Sequence, residues 1–71
     1  MSRLLWAFHG PRSAGIGNHH AVHLREFAER EGISAQVSGE SEANTTTVVM
    51  TVSDDQAADV AAALKPNRVE P

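Results

Sequence analysis

Cysteine is absent from this 71-residue chain, which excludes a disulfide framework and a thiolate metal site. Basic runs are absent as well. The six Lys and Arg stand singly at 3, 12, 25, 30, 65 and 68 against nine acids, a formal net charge of −3. A nucleic-acid binder working alone normally shows a basic stripe, so no direct nucleic-acid partner is expected. No stretch approaches the about 18 apolar residues that a membrane span needs. Residues 1–9 carry too short an apolar core for a signal peptide, and no cleavage pattern follows. No membrane contact is therefore expected, and the expected location is the cytoplasm. Large apolar side chains are few. The core must come from Leu4, Leu5, Trp6, Phe8, Leu24, Phe27, Ile33, Val37, the valines around Met50, and Leu64. A single domain of this size stands near the lower limit of independent stability, which favours burial against a partner or a second copy.

The pattern that is present reads as a succession of short elements. Residues 3–9 alternate, with Leu4, Trp6 and Phe8 on one face, which predicts a first strand ended by Gly10-Pro11. A polar loop is expected over residues 10–18. From His19 to Glu31 the spacing turns helical, with Ala21, Leu24, Phe27 and Ala28 on one side and Asn18 as N-cap. Gly32 followed by Ile33 is a helix stop. Ile33, Ala35 and Val37 predict a short second strand, and residues 39–44 a polar connection. Residues 45–52 are β-branched except Met50 and predict the best strand in the chain. Ser53-Asp-Asp-Gln56 has the form of a capping box before a second helix through Leu64, which Pro66 stops.

This order predicts an α+β two-layer sandwich, βαββα, with both helices on one face of a three-stranded sheet. The third strand is expected between the first two and antiparallel to both, because a right-handed crossover makes those two parallel. Residues 1–65 form the expected domain and 66–71 a tail. The layout resembles the ferredoxin-like βαββαβ order with its last strand absent or reduced to residues 68–70, and in the same loose way the small ACT-type regulatory domains. The resemblance lies in element order alone and implies no ligand motif. Without a fourth strand, the outer edge of strand one, at Leu5, Ala7 and His9, would be open to pairing with a second chain.

All four histidines and three of the five glycines fall within residues 9–23. Gly10, Gly15 and Gly17 between strand and helix suggest backbone amides free to meet an anion, with Arg12 adding a planar fork. The Lys-Ser/Thr ending of a phosphate loop is missing, since Asn18 and His19 stand there. The candidate partner- or anion-binding residues are thus Arg12, Ser13, Gly15, Gly17, Asn18, His19 and His23. His19 and His23 share a helix face with Glu26 and Arg30, and His20 falls nearer the core edge. Helical histidine pairs are common on solvated faces, so no metal and no cofactor are expected. His9 could approach them from the end of strand one. Ser13 with a histidine could be drawn as nucleophile and base, but nothing supplies an orienting partner, and no catalytic set is expected.

Size, acidity and free edges lead to a small stand-alone binding or inhibitor protein that occupies a macromolecular partner, with a protein partner and homodimerisation as the expected contacts. Inhibitors encoded by phages or mobile elements against host nucleic-acid machinery have this physical profile. The alternatives are a small-ligand or anion-binding regulatory module built on the 10–18 loop, and a minor enzyme or histidine metal protein.

Overall fold

The computed structural model describes residues 1–71. The chain runs β1 (Ser2–His9), α1 (Ser13–Glu31), β2 (Gln36–Glu42), β3 (Thr45–Val52), α2 (Asp54–Leu64) and β4 (Arg68–Glu70). It is an α+β structure whose sheet has the order β2-β3-β1-β4, with every neighbouring pair antiparallel. β3 takes the expected place between β1 and β2, and its β-branched side chains fill the middle of the sheet. No helix is long and apolar enough to cross a membrane.

Alternation divides the sheet cleanly. Leu4 and Trp6 of β1 and Val48, Met50 and Val52 of β3 point to the helix layer, where they meet Ala21, Leu24 and Ala28 of α1 and Ala57 and Val60 of α2. α1 lies over β1, β2 and β3, whereas α2 lies over β1. Trp6 ties the layers together, because its indole N–H donates to the Leu64 carbonyl at 3.2 Å and satisfies an orphan acceptor at the end of α2. Gly32 closes α1 in the left-handed conformation, and the Ile33 amide returns to the Ala28 carbonyl at 2.8 Å, as the stop signal implies. α2 starts at Asp54 as expected, but the expected capping box does not form: no side chain caps the first amides, and Ser53 Oγ donates to Gln56 Oε1 at 3.0 Å instead.

Four expectations are corrected. The sheet has four strands, and the expected tail contributes the fourth: Arg68–Glu70 pairs with Arg3–Leu5. The edge at Leu5, Ala7 and His9, open to pairing unless residues 67–70 fold back over it, is covered by them from Arg3 to the Ala7 amide, short of His9. The Asn67 amide donates to the Leu5 carbonyl, and the Ala7 amide donates to Asn67 Oδ1, both at 2.8 Å. Unpaired edge amides and carbonyls favour any local chain that can reach them, and the three residues after Asn67 suffice.

The 10–18 loop is likewise not a loop. Helix α1 begins at Ser13, so Asn18 is no cap and Gly15 and Gly17 lie inside the helix. The second strand, finally, is Gln36–Glu42, later and longer than expected, and a two-residue turn at Ala43-Asn44 replaces the polar connection. Ala43 adopts φ 52° there. β2 is an edge strand with one uncovered face, and such a strand can be polar over most of its length.

Candidate functional site

The expected binding residues separate once α1 starts at Ser13. Arg12, Gly15, Asn18, His19 and His23 are exposed, but Ser13 and Gly17 are buried. Gly17 is where α1 comes closest to the sheet: a β-carbon there would lie 2.6 Å from Thr46 Cγ2. The glycine therefore serves helix–sheet approach rather than an anion cradle. Ser13 Oγ accepts from Thr46 Oγ1 at 3.1 Å, and Thr46 Oγ1 in turn lies 2.8 Å from Ser41 Oγ. This chain of hydroxyls satisfies polar groups that the close approach buries. Ser13 is occupied in that chain and is not available as a surface contact. Thr46 and Ser41 carry no signal in the sequence beyond strand propensity.

The histidines also divide. His9 pairs with Thr45 in the strand register, its Nδ1 3.4 Å from Thr45 Oγ1, and alternation directs it to the face away from the helices. It does not join the others. His20 sits against the helix-side aromatics, with ring centroids 5.0 Å from Trp6 and 5.3 Å from Phe8, both edge-on. Its Nε2 is buried without a hydrogen-bond partner. Desolvation, with a smaller repulsion from His23, pushes the His20 pKa below the usual imidazole value. His19 and His23 stand one turn apart on the outer side of α1, with Nε2 atoms 2.9 Å apart. Glu26 places a carboxylate oxygen 3.4 Å from His23 Nδ1.

A second surface, not singled out by the sequence, is the uncovered face of the sheet. Leu5 and Val49 lie opposite one another at its centre, with Ala7, Thr47 and Thr51 around them. Leu5 is only 8% exposed although no helix covers it. At one edge Arg3 and Arg68 flank Glu70, whose carboxylate lies 3.2 Å from the first guanidinium and 2.8 Å from the second. At the other edge Glu40 and Glu42 of β2 have no ion-pair partner. A shallow depression of about 300 Å³ runs across this face between Arg3 and Glu40. Its trace in the sequence is the spacing of Glu40 and Glu42, two apart and so on one face of a strand.

Arg25 belongs to a different task. Its guanidinium donates to the Val37 carbonyl at 3.2 Å. With Glu40 and Glu42 it guards the remaining sheet edge, since charged side chains discourage further strand addition.

No protein-family model matches the chain, and neither a curated protein nor a solved structure does.

Proposed function

We propose that this chain is a small binding protein that acts by occupying the surface of a protein partner, and that the uncovered sheet face is its contact surface. The observation supporting this reading is the layout of that face: a Leu5–Val49 centre, small and β-branched neighbours, two arginines around Glu70 at one edge, and only acids at the other. Short, stiff side chains lose little rotamer freedom on association, so apolar contact there is gained at low entropic cost. An edge with an excess arginine and an all-acidic edge orient an incoming surface and reject one turned the wrong way. Inhibition by steric occupation is the narrower form of the same reading.

The test is capture from a lysate with wild-type protein beside Val49→Glu, both shown to have the same thermal midpoint. The reading expects specific captured proteins to disappear with Val49→Glu. Equal capture by both would overturn it.

A second reading, homodimerisation through this face, is favoured by the symmetry of the charges. Arg3 and Arg68 lie level with Gln36 and Ser38, so they and the Glu40–Glu42 pair occupy opposite corners of the face, and a two-fold axis perpendicular to the diagonal between those corners would set one copy's arginines over the other's acids. Sedimentation velocity over a range of concentrations tests it. Arg68→Glu and Glu40→Arg should each weaken self-association, and an equimolar mixture of the two should restore it. A wild-type monomer throughout would dismiss the dimer.

A further inference from the structure

We infer that His19 and His23 form a clamp for a single divalent transition-metal ion on the outer face of α1, with Cu²⁺ held more tightly than Ni²⁺ or Zn²⁺. The residues are four apart on a helix, so their rings share one face. Such spacing is common, and what distinguishes this pair is how near the nitrogens already stand: the two Nε2 atoms are 2.9 Å apart, at hydrogen-bond distance, with the rings nearly perpendicular and their centroids 4.4 Å apart.

That distance is informative about geometry. With metal–nitrogen bonds of about 2.0–2.1 Å, two imidazoles at a right angle put their nitrogens about 2.8–3.0 Å apart, whereas tetrahedral ligands stand about 3.3–3.4 Å apart. In the metal-free chain 2.9 Å is a hydrogen-bond distance, and it leaves the two nitrogens close enough to take adjacent corners of a square-planar or tetragonal site, the arrangement Cu²⁺ and Ni²⁺ prefer. The Irving–Williams order ranks Cu²⁺ first among them.

Glu26 supplies the second independent observation. Its carboxylate sits 3.4 Å from Nδ1 of His23, the ring nitrogen turned away from His19. A carboxylate on the far nitrogen favours the proton there and leaves the lone pair on Nε2, the arrangement that orients metal-bound histidines in general. Without metal, one Nε2 carries the proton that the other accepts, and the Glu26 carboxylate on the far nitrogen of His23 favours His19 as the donor. When a metal binds, the His19 proton moves to its own Nδ1, and both Nε2 lone pairs face the ion. Water fills the remaining positions, because the chain gathers no third ligand there. Both rings are exposed, so occupancy leaves the fold as it is.

Titration of tag-free protein with CuCl₂, NiCl₂ and ZnCl₂ at pH 7.5 in a non-coordinating buffer tests this, followed by calorimetry and, for copper, by electron paramagnetic resonance. One equivalent of Cu²⁺ should bind with a two-nitrogen signature, more tightly than Ni²⁺ or Zn²⁺. Glu26→Gln should weaken it about 10–100-fold, as loss of an orienting carboxylate does elsewhere. Lowering the pH to 5 should release the metal, since its ligands must be unprotonated. His9→Ala should change nothing. Unchanged binding by the His19→Ala, His23→Ala chain, with an unchanged melting profile, would overturn the clamp, as would zinc binding more tightly than copper.

Discussion

Gly17 faces Thr46 so closely that a β-carbon on the glycine would fall 2.6 Å from Thr46 Cγ2. Thr46 cannot easily yield, because it is buried, branched at Cβ and held by hydroxyls on both sides. Gly17→Ala should therefore destabilise: overpacking costs about 1–3 kcal/mol, and the helix propensity of alanine returns about 1. Gly15, earlier in the same helix, has open space where a methyl group would stand, with no atom within 4 Å. Gly15→Ala should stabilise by about 0.5–1 kcal/mol. Thermal melts of the two variants should move in opposite directions, each by a few degrees. A shift of the same sign in both would contradict the close approach.

The hydroxyl chain makes a graded prediction. Thr46→Val preserves shape but removes both contacts and leaves Ser13 Oγ buried without its donor. The expected loss is about 1–3 kcal/mol. Ser41→Ala, at the exposed end of the chain, should cost less because water can replace it. Urea unfolding of both variants is the measurement, and an equal cost would show that burial of Ser13 is immaterial.

Acid should act in two separate windows. His20 has its pKa lowered in the folded chain, first by desolvation and then by His23. Above its ordinary value of 6.5 the imidazole is neutral folded or unfolded, and it has no effect. As pH falls below 6.5 the unfolded chain takes up a proton that the native site resists, so stability drops until the folded pKa is passed. Asp54 titrates in a lower window. The Ser2 hydroxyl first, then the amino terminus, holds its carboxyl below the ordinary 3.8. Its contribution is present above that value and is lost as pH falls through the lower folded pKa. Thermal midpoints from pH 8 to 3 should show the upper step in wild type and lose it in His20→Leu. Persistence of that step in the variant would assign it elsewhere.

Closure of the β1 edge depends on Asn67, which uses both its backbone amide and its side-chain carbonyl there. Asn67→Ala removes the acceptor of the Ala7 amide. Hydrogen exchange at Ala7 should quicken about five-fold, the equivalent of about 1 kcal/mol. Deleting residues 67–71 should open the edge altogether and produce association that grows with concentration, read by light scattering. A truncated chain that associates no more than the full one would mean that β4 protects nothing.

Much of this architecture was legible in the chain itself. The alternation through Leu4, Trp6 and Phe8, the β-branched block around Met50, the Gly32-Ile33 stop and the Ala57–Leu64 stripe encode their elements locally. Their periodicity reports which face is buried, and burial of apolar surface is what chiefly drives folding. The order of elements then left β3 the central place. The histidine pair was visible too, because helical spacing alone sets His19 beside His23. What tertiary structure decided were the positions where local preference and long-range contact disagree. Residues 13–18 look like a turn, yet they extend α1, since Gly17 packs on Thr46 and Ser13 gains a hydroxyl partner 33 residues away. Residues 39–42 look like a loop, yet they pair with β3, because an edge strand can leave its polar side chains in water. Residues 68–70 are too few to signal a strand, and only the vacant edge of β1 makes them one. The gathering of Arg3, Arg68 and Glu70 at one edge of a sheet face and of Glu40 and Glu42 at the other arises only after those pairings are made. It depends on distances between residues far apart in the chain, which spacing along the sequence does not record.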